Sequence, residues 1–108
     1  MNRLEHLLAC LAEESCEIAK EAHKAQRFTI DDRVTLDPHG PRGTTGPTTR
    51  DKIVDELNDL MGVVSMLVAE GALPADWYRV DHQARKMKRV EAYMVYAQRV
   101  GALEVPGE

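Results

Sequence analysis

The stretch Ile53-Val-Asp-Glu56-Leu57-Asn58-Asp59-Leu60-Met61-Gly-Val63-Val64-Ser-Met66-Leu67-Val68 decides the fold class. Its residues Ile53, Leu57, Leu60, Met61, Val64, Leu67 and Val68 recur every three or four positions, the spacing that gathers them on one side of an α-helix. Glu56 and Asp59 flank that stripe one turn apart, so both carboxylates aim at a common point. The line Glu56, Asp59, Val63, Met66 begins with acids and continues with apolar residues, so the acids open a face that is buried further along. A carboxylate at the edge of a core is costly without a partner.

An earlier segment repeats the arrangement. Leu4, Leu7, Leu8, Leu11, Ser15, Ile18, Ala22 and Ala25 form one stripe in a stretch from Arg3 to Arg27 that no Pro or Gly interrupts. Glu14 and Glu17 flank this stripe, with Glu21 beside them, while Glu13 faces away. Four carboxylates converging from two helices repel one another unless protons or cations intervene, and hard divalent cations such as Mg2+ prefer such oxygen ligands. Glu14, Glu17, Glu56 and Asp59 are therefore the expected metal ligands, in a site between two helices. One such motif alone reads more simply as a solvated acidic face. Two, each on the same flank of an apolar stripe, favour the site.

Residues 29–49 break the helical pattern, with three Pro, three Gly and several Thr, and are expected to form a long loop. Gly40, Gly43 and Gly46 recur every third residue, yet no Gly-Lys-Ser/Thr follows, which argues against a phosphate-binding P-loop. A second helix is expected from Thr49, as N-cap, to Gly71. After Leu73-Pro-Ala-Asp76 and a turn carrying Trp77 and Tyr78, a last helix from Val80 to Val100 would turn Ala84, Met87, Val90 or Glu91, Met94 and Ala97 inward. Ala102 to Glu108 should fray. The expected fold is all-α, one domain over residues 1–108, an antiparallel bundle of three to four main helices. Three one-sided helices make a thin core, and Val63, Met66, Met94, Val95 and Tyr96 extend the apolar surface, which suits a homodimer or a dimer of dimers.

Composition agrees: 108 residues, 44% apolar with only 5% aromatic, suit packed helices better than a sheet sandwich. A net charge of −4 gives no global attraction for nucleic acid or an anionic membrane. Cys10 and Cys16 are six residues apart, a rise of about 9 Å along a helix, too far for a bridge. Free thiols, no signal-peptide run and no apolar stretch long enough to span a bilayer lead to an expected cytoplasmic location. His6, His23, His39 and His82 lack ligand spacing with the acids, and no Glu-x-x-His occurs on two helices as a di-iron bundle needs.

Glu13-Glu14-Ser15-Cys16-Glu17 followed by Asp55-Glu56-Leu57-Asn58-Asp59-Leu60 resembles the E-E-x-x-E … E-x-x-D signature of the MazG-like, all-α nucleoside triphosphate pyrophosphohydrolases. The resemblance extends to Lys24-Ala-Gln-Arg27-Phe28 and, more weakly, to Lys86-Met-Lys88-Arg89-Val90-Glu91-Ala-Tyr93. Between Glu17 and Glu56 lie 38 residues, more than the family pattern carries, and an extended loop would account for them. The resemblance implies that Glu14, Glu17, Glu56 and Asp59 bind Mg2+, with Mn2+ as a substitute. It also implies hydrolysis of a nucleoside or deoxynucleoside triphosphate between the α- and β-phosphates, serving nucleotide-pool cleaning or balance, in a homo-oligomer.

Divalent cations neutralise phosphate oxygens and polarise bound water, and either Glu14 or Glu17 could act on that water. Lys24 and Arg27, within the resembling stretch, are the favoured phosphate contacts, with Lys86 and Lys88 beside Arg89 as further substrate-binding candidates. Lys20 and Lys24 read equally as surface partners of Glu17 and Glu21. Phe28 and Trp77 could stack on a base or fill the core. Asn58 points away from the stripe. Two alternatives stay open: a phosphoribosyl-ATP pyrophosphohydrolase, and a non-catalytic helical module that binds nucleotide or metal.

Overall fold

The computed structural model describes residues 1–33 and 46–107. Among these the chain is all-helical, with α1 over Arg3–Phe28, α2 over Thr49–Ala69 and α3 over Val80–Arg99, and no strand. Residues 34–45, which hold most of the expected loop including His39, Gly40 and Gly43, lie outside the described residues, as does Glu108. Two compact units result, Met1–Pro74 and Ala75–Glu108.

Helix α1 starts from a capping box that the stripe alone did not reveal. The Asn2 side chain accepts the Glu5 N–H at 2.8 Å and the Glu5 carboxylate accepts the Asn2 N–H at 3.1 Å, satisfying two donors that the first turn leaves open. Helix α2 uses the same device one residue earlier than expected. Thr48 is the N-cap, its hydroxyl accepting the Asp51 N–H at 3.1 Å while Asp51 accepts the Thr48 N–H at 2.9 Å. Thr49 is instead the first helical residue and is buried, donating through both its N–H and its hydroxyl to the Asp32 carbonyl. At the other end Gly71, with φ of 79°, takes the left-handed turn that side chains resist, and the Gly71 and Ala72 amides return to the Val68 and Leu67 carbonyls.

Helices α1 and α2 pack as an antiparallel hairpin. Arg3 pairs with Glu70 at one end. At the other, Arg50 pairs with Asp31 at 2.7 Å, its N–H donates to the Ile30 carbonyl, the Arg33 guanidinium bonds the Gly46 carbonyl, and Arg33 and Thr48 form an isolated antiparallel bridge. Leu7, Val64 and the fully buried Leu67 form the core, with Leu11, Ile18, Ile53 and Leu60 half-buried around it. The sequence stripe on α2 is corrected here: Leu57 and Met61 are exposed, and the line facing α1 runs instead through Thr49, Glu56, Leu60, Val64 and Leu67. Apolar residues occupy more than one side of α2, so periodicity alone left its rotation about the axis ambiguous. The clamps at both ends settle it.

In the second unit α3 buries no residue. Of the line expected to face inward, Ala84, Met87, Val90 and Met94 are exposed and only Ala97 is half-buried. Trp77 meets Tyr78 edge-on, ring centres 5.5 Å apart.

Bonds from the Thr48 N–H and then its hydroxyl, with lesser help from Arg33 and Arg50, hold the Asp51 carboxyl below the ordinary aspartate range. A lowered native value means that the box stabilises fully above the unfolded value of about 3.9 and loses that contribution as pH falls through the native value. Asp51→Asn should therefore melt below the wild type at neutral pH, with the gap closing under acid, as circular dichroism melts across that range will show.

Candidate metal centre

The antiparallel pairing sets the middle of α1 against the first half of α2, and with the corrected rotation the acids of both helices enter the seam between them. Glu14 and Glu56 are half-buried and Asp59 is exposed, and one carboxylate oxygen from each lies within 4.8 Å of the other two. Three of the four expected ligands thus come together. Glu17 is not one of the trio: its carboxylate stands 4.0 Å from Lys20 Nζ, yet its charge is near enough to act on Glu56.

Burial, first, then a hydrogen bond shared with Glu14 and the charges of Asp59, Glu14 and Glu17 push the Glu56 carboxyl above the ordinary glutamate range. Each of these causes favours the neutral form of the Glu56 carboxyl over the charged one. A bound cation would favour the charged form instead.

The donor set suits a hard divalent ion. An octahedral Mg2+ shell has oxygens at about 2.1 Å, hence opposite ligands about 4.2 Å apart, so a trio within 4.8 Å closes on the ion with small side-chain movements. Among the described residues no histidine or cysteine belongs to the cluster, and its all-carboxylate donors suit hard cations better than zinc.

The expected substrate contacts are distributed more widely. Lys24 Nζ lies 3.4 Å from Glu21 Oε1, and with the Lys20–Glu17 pair this realises the intrahelical pairing that the sequence also allowed. The Arg27 guanidinium sits over the Phe28 ring, 5.8 Å from its centre, and both side chains are exposed, which removes Phe28 from the core. Lys86 and Lys88 are exposed on α3, in the second unit. Asn58, expected to point away from the apolar stripe, is exposed and donates to the Val54 carbonyl at 2.8 Å on its own helix. Cys10 and Cys16 are free thiols, Cys10 Sγ lying 3.7 Å from His6 Nε2. The residue that the sequence undervalued is Glu21: it appears there as a neighbour of the acidic pair and a surface partner of Lys24, whereas only 5% of it is exposed. Its helical phase marked the flank, but burial depended on how α2 is rotated against it.

Comparison with family models, curated proteins and solved structures yields no significant match.

Because the native Glu56 value is raised, the metal-free protein should lose stability as pH climbs from about 4.3, the unfolded value, through the native one. Glu56→Gln removes that decline. In chelator at pH 7 to 8 the variant should melt at or above the wild type, and a large fall in its melting temperature would make Glu56 a structural residue.

Proposed function

We propose that this chain is a Mg2+-dependent hydrolase of nucleoside or deoxynucleoside triphosphates, of the MazG-like all-α type, releasing the monophosphate and pyrophosphate for nucleotide-pool cleaning in the cytoplasm. The convergence of Glu14, Glu56 and Asp59 from two helices carries the reading. The E-E-x-x-E … E-x-x-D resemblance supplies the reaction class. When bound, Mg2+, or Mn2+ in its place, neutralises phosphate oxygens and makes a coordinated water a nucleophile at neutral pH. Glu14, Glu56 and Asp59 hold the ion. Glu17, next to the trio and outside it, orients the attacking water and takes its proton. Lys24 and Arg27 meet the phosphates, and Phe28 offers an exposed ring to the base. No helix of the described residues is long and apolar enough to cross a membrane.

A homodimer or dimer of dimers fits the same chain. Leu4, Leu8, Leu57 and Met61 on the hairpin and Met87, Val90 and Met94 on α3 are all 40% exposed or more, apolar surface that a second copy would cover. Light scattering at micromolar concentration should return two or four times the chain mass of 12.1 kDa, and a single-chain mass would remove this part of the proposal.

One observation favours a second reading. Lys20 and Lys24 already pair with acids, leaving fewer cations for a triphosphate, as in a module that binds a divalent ion without turnover. Incubation with a panel of triphosphates and phosphoribosyl-ATP in Mg2+, with pyrophosphate and orthophosphate assayed separately, separates the readings. Pyrophosphate from a nucleoside triphosphate is the expected product. Orthophosphate as the first product, or turnover of phosphoribosyl-ATP alone, contradicts the substrate assigned here, and no turnover at all selects the binding module. Glu56→Ala should lower turnover by more than about a hundredfold, the most that losing a mere partner of a metal ligand ordinarily costs. Mg2+ should raise the melting temperature of the wild type and far less that of Glu56→Ala.

A further inference from the structure

Glu21 is 5% exposed, and its position in the hairpin is expensive. Its Oε1 faces Lys24 Nζ at 3.4 Å, and its Oε2, shielded from solvent, meets no donor among the described residues. A buried carboxylate with one partner gains less from that partner than burial takes away, and an apolar side chain of similar size would pack there at lower cost. The core of this hairpin is small, so the cost is felt.

Position explains what such a residue can do. Glu14, Glu17, Glu21 and Lys24 follow the i, i+3, i+4 spacing that lines one face of α1, so Glu21 and Lys24 continue the flank that carries the metal ligands. Helical side chains lean toward the N-terminus, which brings the Lys24 ammonium back over the turn of Glu21 and toward the acids. Roughly 10 Å of helix axis separates Glu14 from Glu21. A polyphosphate chain anchored at the cation could extend along that flank and meet the ammonium.

We propose that Glu21 is a positioning residue: its buried carboxylate holds Lys24 in place to receive the metal-distal phosphates of a polyphosphate substrate. The inference rests on the triphosphate reading above. A free lysine loses rotamer freedom when it grips a ligand, and a lysine already held against a rigid, buried acid loses less. The sign of the effect is diagnostic. If Glu21 only neutralised Lys24, removing its charge would strengthen phosphate binding; if it positions Lys24, removal weakens binding.

The test is calorimetric titration of inorganic tripolyphosphate, in Mg2+, into the wild type, Glu21→Gln, Lys24→Gln and the double variant, with a melting curve for each. Glu21→Gln should bind about tenfold more weakly, a loss of about 1.4 kcal/mol, and should melt no lower than the wild type. The double variant should bind no more weakly than Lys24→Gln alone, since Glu21 acts through Lys24. Unchanged or tighter binding by Glu21→Gln, additive losses in the double variant, or a Glu21→Gln chain that melts lower or fails to fold each overturns the positioning role while leaving the hydrolase reading intact. No binding by the wild type overturns both.

Discussion

The docking of α2 on α1 is the constraint from which the rest of the hairpin follows. Polar clamps hold both ends, Arg3 with Glu70 at one and the bonds joining residues 30–33 to Gly46, Thr49 and Arg50 at the other. A helix pinned at both ends is no longer able to roll about its axis, and the rotation that results turns Thr49, Glu56, Leu60, Val64 and Leu67 toward α1. Leu57 and Met61, which would have made the greasier seam, face outward. The acids gain burial at the expense of apolar packing.

That exchange gives the hairpin its physical character. Leu7, Val64 and Leu67 close one half of the seam, while the other holds Glu14, Glu56 and the buried Glu21. Loss of solvent first, and then the neighbouring acids, raise the Glu56 carboxyl above its ordinary range. A divalent cation bound there would relieve their repulsion, and its binding free energy would then add to the folding free energy. The same carboxylates that would lower the stability of the empty hairpin are the ones suited to hold the ion.

Helix α3 poses a different problem. Its capping glycine, Gly101, at φ of 78°, and the return bonds from Gly101 and Ala102 make a well-terminated helix, yet none of its residues is buried. Val80, Met87, Val90 and Met94 lie on one arc and Arg85, Arg89, Tyr93 and Tyr96 on the other, an amphipathic helix with its apolar side uncovered. Intrinsic propensity and local bonds suffice to form such a helix, whereas packing of its apolar side is what ordinarily stabilises one in water.

Helix existence and limits were legible in the chain to within a residue or two, because periodicity, Gly71, Gly101 and Pro74 act locally. The three-residue spacing that sets Glu56 beside Asp59 was legible too, being local to one helix, whereas the approach of Glu14 to that pair depends on how α1 and α2 dock. What the sequence left open was rotation and depth: that Thr48 rather than Thr49 caps α2, that Leu57 and Met61 face out, that Glu17 turns to Lys20 outside the trio, and that Glu21 is buried. The outward turn of Leu57 and Met61 and the burial of Glu21 depend on contacts between residues far apart in the chain, whereas the Thr48 cap and the Glu17–Lys20 pair are local contacts to which periodicity is blind. Periodicity reports the angle between side chains on one helix, and only a neighbouring helix, fixed in register by its own clamps, decides which of those angles points inward.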